Sequence, residues 1–239
     1  MKYRLETIPV WQAVEEHSTC PMCTLADRLE TQYTNFYVGD SVMTPEIRVT
    51  VNRRGFCPRH FQQMLQAGNK LGLSLMTATH IETLREELST DKSLLARLAG
   101  RVRPRAVREY YRRVAHLRSR QADCLVCERM DHTMRNYAYT LARLHCDDDS
   151  FRQALRPTGG VCLEHLPLIC EVVRDALGRG ERKAFLTALF DLVDEDLTGI
   201  HSALGAFAER FDYRNAEPVT DELRAAVPRA IAKITGRAL

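Results

Sequence analysis

Apolar residues along this chain recur every three or four positions and almost nowhere alternate, which predicts helices rather than strands. Residues 9 to 17 read as a short opening helix with Pro9 in its first turn. Leu25, Leu29, Tyr33, Phe36 and Tyr37 then mark one helix face, and Gly39 supplies a stop. Residues 40 to 56 read as a loop, in which the alternation of Ile47, Val49 and Val51 admits one short strand. Cys57 opens a helix to about Gln66. A longer stripe runs from Asn69 through Leu71, Leu75, Ala78, Ile81, Leu84 and Leu88. Ser89-Thr90-Asp91 interrupts it before Leu94, Leu95 and Leu98 resume. His80, alone on this stretch, is expected to be a structural hydrogen-bonder.

The second half repeats the plan. Met130, Met134, Tyr137, Leu141 and Leu144 step at helical spacing, and a short segment from Ser150 to Arg156 ends at Pro157 and Gly159-Gly160. A helix follows from Cys162 to about Leu177, and Gly178-Arg179-Gly180 breaks it. A very long helix then carries Phe185, Leu189, Leu192, Val193, Ile200, Leu204, Phe207 and Phe211 on one side. The tail from Pro218 to Ile234 reads as a weaker amphipathic helix with Pro228 as a kink or restart. The expected fold is all-α. It consists of two repeated helical halves, 1–100 and 101–215, with a helical tail over 216–239.

What the halves share most clearly is chemistry. Cys20 and Cys23 are followed by Gly55, Cys57 and His60, and Cys124 and Cys127 by Gly160, Cys162 and His165. Both copies read C-x2-C…G-x-C-x2-H, at an internal offset of 104 to 105 residues. Thiolate and imidazole pairs three residues apart at helix starts can each face one ion, and four such donors close a tetrahedron suited to Zn2+. Two complete sets predict two zinc ions per chain, each pinning helix N-termini. An iron–sulfur cluster is the less favoured occupant. Gly55 and Gly160 precede the third ligand where a positive φ suits glycine. Either Cys20 and Cys23 close locally with Cys57 and His60, or they swap onto Cys162 and His165. The longer loop costs only about 1.2 kcal/mol more, so repeat logic does most of the deciding and favours local closure, since a duplicated unit should carry its own complete site. Cys146 and Cys170 fall outside the motifs, the first as a helix-end residue and the second as core.

At 239 residues, with 34 basic and 31 acidic side chains, the chain is large enough for a real core and nearly balanced in charge. Its N-terminus has no apolar signal segment, and Ala184 to Val193, its longest apolar stretch, is too short to span a bilayer. These features predict a cytoplasmic protein with reduced thiols and no membrane association. Charge clusters once: nine arginines against Glu109 lie between Arg97 and Arg120. Arg105, Arg108, Arg112 and Arg113 on that stretch would suit a nucleic acid. The plainer reading is a solvated helix whose arginines pair with Asp147 to Asp149 or Asp191 to Asp196.

The stretch from Thr7-Ile8-Pro9-Val10-Trp11 through Cys20-Pro21-Met22-Cys23, Gly55-Phe56-Cys57-Pro58-Arg59-His60 and Asn69-Lys70-Leu71-Gly72-Leu73-Ser74-Leu75-Met76 resembles a bacterial family catalogued only as a domain of unknown function. The second Cys-x2-Cys and Gly-Gly-Val-Cys-Leu-Glu-His fit its C-terminal half. The resemblance implies that both ligand sets belong to the family pattern, and it carries no activity.

Four protein ligands per ion leave no open coordination position, the mark of a structural site. The expected function is therefore a binding or regulatory module with an unidentified protein partner, whose zinc-bound thiolates make it responsive to oxidants. A metal-dependent hydrolase is the alternative. Glu164, between Cys162 and His165, is the one carboxylate inside a motif that could serve as its base.

Overall fold

The structure, a computed structural model, describes residues 6–88, 104–211 and 218–236. Eleven α-helices and two short 3-10 turns make up the described residues, and no strand occurs among them. The helices are α1 Thr7–Glu15, α2 Pro21–Val38, α3 Pro45–Arg54, α4 Pro58–Gln66, α5 Lys70–Leu88 and α6 Pro104–Ala122. They continue as α7 Leu125–Asp147, α8 Asp149–Leu155, α9 His165–Ala176, α10 Arg179–Glu209 and α11 Asp221–Thr235. The interruption at Ser89 and the resumed stripe at Leu94, Leu95 and Leu98 lie outside the described residues.

One local expectation is corrected. Residues 40 to 56 are not a loop with a strand, but a 3-10 turn over Asp40–Met43 and then α3. Pro45 at the first turn, Glu46 beside it and Arg53 and Arg54 in the last turn suit a helix and its dipole. Gly55 then ends it at φ 80°. Val51 is buried while Val49 is exposed, so these β-branched residues divide by helical face rather than by pleat.

Contacts divide the chain into two compact units, Leu29–Asp131 and the discontinuous pair Met1–Arg28 with His132–Leu239. This differs from the sequential halves expected from the repeat, whose boundary near residue 100 falls outside the described residues. The cuts pass through α2 and α7, so each of these helices supplies residues to both units.

In the unit 29–131, Tyr37, Val38, Val42, Val51, Phe56, Met64, Met76, Leu125 and Val126 form the core together with Cys124. Phe56 packs edge-on against Tyr37 at 4.9 Å and against Phe61 at 5.4 Å, the arrangement ring quadrupoles favour. The Arg129 guanidinium lies over Phe36 and Tyr37 at 5.0 and 5.3 Å. Asn69 ties α5 to the end of α2, since its amide donates to the Val38 carbonyl while its oxygen accepts from the Gly72 N–H. His80 has the structural role expected of it, with Nδ1 3.1 Å from the Asn52 carbonyl.

In the other unit, α1 buries Val10, Ala13 and Val14, and Trp11 stands edge-on to Phe151 at 5.1 Å. α7 contributes Met134, Tyr137, Ala138, Leu141 and Leu144, α9 contributes Ile169 and Val173, and α10 contributes Phe185, Leu189, Val193 and Ile200. The expected stripe is longer than α10 and its buried face, because Phe211 lies past the end of the helix and is 70% exposed. α11 runs unbroken through Pro228 and packs on α10. Cys170 on α9 is half-buried, and Cys146 sits half-buried one residue before the end of α7. No described helix is long and apolar enough to cross a membrane.

Candidate metal centres

All eight expected ligand side chains gather into two groups of four, and they do so crosswise. Cys20, Cys23, Cys162 and His165 form one, and Cys57, His60, Cys124 and Cys127 form the other. The expectation of local closure is thereby corrected. The reason lies partly in the helix that replaced the loop. α2 carries the chain about 22 Å beyond Cys23, and α3 offers only about 15 Å towards a return, where an extended loop would have reached easily. The swap completes each centre inside one compact unit.

Both centres use helix starts. Cys20 and Cys124 stand just before α2 and α7, and Cys23 and Cys127 take the third helical position of each. Cys57 caps α4 and His60 follows in its first turn, whereas His165 opens α9. Gly55 and Gly160 have φ 80° and 82°, the left-handed region expected of them.

The spacing of donor atoms decides what fits. A tetrahedron with ordinary Zn–S and Zn–N lengths has S–S edges of about 3.8 Å and S–N edges of about 3.6 Å. In the first centre Cys23 Sγ is 3.6 Å from Cys162 Sγ. His165 Nδ1 there lies 3.1, 3.4 and 3.8 Å from the sulfurs of Cys162, Cys23 and Cys20. In the second, Cys57 and Cys127 are 3.9 Å apart, and His60 Nδ1 lies 3.2 Å from Cys57 and Cys124 and 3.4 Å from Cys127. All donor atoms within a group lie within 4.8 Å of one another. That leaves room for a single ion, and a cluster of several irons would need its cysteines further apart.

Without a cation the packed thiols oppose one another's ionisation. Hydrogen bonds that the Cys23 thiol donates to Cys162 and Cys20, then burial, push it far up. Hydrogen bonds accepted from Cys20 and Cys23 push Cys162 far down. One dication relieves both conflicts, because it favours every thiolate at once.

The centres differ in what surrounds them. His60 Nε2 is 3.0 Å from Glu30 Oε1, and the other oxygen of this buried carboxylate accepts from Arg59 at 2.6 Å. Carboxylate support of a ligating imidazole fixes its orientation and tautomer. The first centre is instead covered by the end of α11. The Cys23 thiol donates to the Gly236 carbonyl at 2.8 Å, and the Leu163 N–H donates to the Lys233 carbonyl at 2.9 Å. Gly236 sits at φ 72°, and a Cβ there would lie 2.6 Å from Glu164 and 3.1 Å from Cys162 Sγ. Only glycine fits both the conformation and the space.

A buried ionic group holds α11 in place. The Lys233 ammonium, with no exposed surface, donates to the Gly159 carbonyl at 2.7 Å and stands 2.8 Å from Asp196 Oδ2. Arg229 pairs with the other oxygen of Asp196. Glu30 and Lys233 escaped the sequence reading, and Asp196 entered it only as a partner for the arginine stretch, although each interrupts a buried helix face: Glu30 before Tyr33 and Tyr37, Asp196 between Val193 and Ile200, and Lys233 after Ala226 and Ala230. A charge inside a buried stripe implies a partner.

Other expected residues fall as follows. Glu164 is exposed and precedes α9. Among the described residues, Cys146 and His145 join no donor group, and His145 stands edge-on to Phe185 at 5.2 Å. On α6, Arg120 is buried and pairs with Glu87 and the Asn52 carbonyl. Of the acids named as partners for this helix, Asp147 pairs with Arg143, Asp149 with Arg152, and Asp196 with Lys233 and Arg229. The side chain of Arg105 lies outside the described residues.

Fold and donor sets define an all-helical protein with two Cys3His groups, each able to hold one metal ion. The chain belongs to DUF6062, a family of unknown function whose match runs over residues 1–239. Neither curated proteins nor solved structures include a match to it.

Proposed function

We propose that this protein is a cytoplasmic binding or regulatory module whose helices are stapled by two zinc ions and whose fold responds to thiol oxidants. The observation that carries this reading is the pair of closed donor sets, each joining helix starts from distant parts of the sequence. Four protein ligands complete the coordination shell, so the ion stabilises structure rather than activating water. All eight cysteines are free thiols, as a reducing compartment requires. Zinc suits this donor set better than a harder ion such as Mg2+, which prefers oxygen. A protein partner is supported by α5, which leaves Leu71, Leu75, Ile81 and Leu88 exposed.

Elemental analysis of the purified chain tests the reading, with circular dichroism before and after chelation. Two zinc ions per chain and loss of helicity on their removal are expected, since binding free energy in such sites is folding free energy. Iron in place of zinc, or unchanged helicity and melting after complete removal, would overturn it.

A nucleic-acid partner is a second reading, favoured by the exposure of Arg108, Arg112 and Arg118 on α6. It requires affinity that falls steeply with salt. Changing these three to Gln should abolish that binding, and no binding at about 50 mM salt rejects the reading.

A further inference from the structure

We propose that the centre formed by Cys57, His60, Cys124 and Cys127 is the oxidant-responsive one of the two, and that a hydroperoxide converts Cys57 and Cys127 into a disulfide. This inference rests on the reading of both groups as zinc sites.

The two CxxC pairs offer a controlled comparison. Cys23 and Cys127 occupy the same third position of a helix, so the helix dipole acts on both sulfurs alike. Access is what separates them. Cys23 lies half-buried beneath the Gly236 carbonyl, between buried Cys20 and Cys162. The cover is anchored by Lys233, which the Gly159 carbonyl and Asp196 hold in the interior. Cys127 is exposed, and Cys57, whose Sγ is 3.9 Å away, is half-buried. Zinc keeps both as thiolates, the form that attacks a peroxide.

The chemistry balances in two steps. The Cys127 thiolate attacks the distal oxygen of a hydroperoxide and breaks the O–O bond, giving a sulfenic acid and an alkoxide, or hydroxide from hydrogen peroxide. The Cys57 thiolate then attacks the Cys127 sulfur and expels hydroxide, forming the S–S bond. Two thiolates have lost two electrons, the peroxide has gained them, and zinc departs as Zn2+ with its oxidation state unchanged. Cys124 is the other candidate for the second step, but it is packed in the core with Tyr37, Leu125 and Val126. Its sulfur already lies within 4.8 Å of Cys127, but drawing it to bonding distance would disturb that packing, whereas Cys57 is only half-buried. With two of four donors consumed, His60 and Cys124 alone hold the ion weakly. A thiol reductant reverses the bond and allows zinc to rebind.

The test uses the full-length, zinc-loaded protein and one equivalent of hydrogen peroxide. Released zinc is followed with a chromophoric chelator, and each cysteine is then scored by differential alkylation and mass spectrometry. Release of one of the two ions is expected, with a Cys57–Cys127 disulfide and with Cys20, Cys23 and Cys162 still reactive as thiols. Dithiothreitol with added zinc should restore both ions. Equal release from both centres, earlier oxidation of Cys20, Cys23 or Cys162, or a Cys124–Cys127 disulfide would each overturn the proposal. A purified chain carrying no zinc at all would instead defeat the metal reading beneath it, and that is settled by the metal count before any peroxide is added.

Discussion

His60 Nε2 and the Glu30 carboxylate lie 3.0 Å apart in the interior, while Nδ1 of the same ring faces three sulfurs. One nitrogen is thereby assigned to the carboxylate and the other freed as a ligand. Burial, helped by the Arg59 charge, pushes this imidazole below its ordinary value against the pull of Glu30, which favours the neutral form that can ligate. Glu30→Ala should therefore weaken zinc at this centre by about 10- to 100-fold. Competition against a chelator of known affinity measures it, and the ion at the Cys20 centre should be retained as in the unaltered chain.

The Lys233–Asp196 pair gives a prediction on stability. Removing Asp196 leaves the buried Lys233 ammonium with only the Gly159 carbonyl, and removing Lys233 leaves the buried Asp196 with Arg229 alone; breaking a buried pair in this way costs about 3–5 kcal/mol. Lys233→Met and Asp196→Leu should each lower the melting temperature sharply, and the double variant should recover much of the loss. Single and double variants with equal deficits would show that the pair does not act as a unit.

The crossed pairing sets the behaviour of fragments. A chain ending near residue 100 contains Cys20, Cys23, Cys57 and His60 but completes neither group, so it should bind no zinc tightly. A fragment spanning residues 29–131 carries all four ligands of the second centre and should bind one ion. Metal titration by calorimetry distinguishes them, and tight binding by the first fragment would restore local closure.

Stability should also decline on mild acidification for a reason separate from metal. Burial, and then Arg152, hold His145 below its ordinary value of 6.5. Above that pH the histidine is neutral in both states and imposes no penalty. As pH falls below 6.5 the unfolded chain takes up the proton more readily, so stability is lost progressively down to the folded value. Melting temperatures between pH 7.5 and 5.5 should fall more steeply in the unaltered chain than in His145→Phe, where the aromatic contact with Phe185 survives. Parallel slopes would remove His145 from the account.

Helical class and most helix limits were legible because they depend on local order. Apolar spacing, Pro45 and Pro58 at helix starts and the glycines at 55 and 160 act within a few residues of themselves. α3 was the exception: three alternating β-branched residues outweighed Pro45, Glu46 and the terminal arginines, although those end signals favoured a helix. The eight ligating residue types were equally legible, since pairs three apart on helix starts face one way whatever they meet. Which pair meets which was not. Loop closure separates the two pairings by only about 1 kcal/mol, so the rigid lengths of α2 and α3 and the packing of each unit decided it. The supporting residues stayed hidden for the same reason. Glu30 and His60 are 30 positions apart, and Lys233 and Gly159 are 74. A buried charge announces in sequence that it needs a partner, but only the folded chain brings that partner within hydrogen-bonding distance.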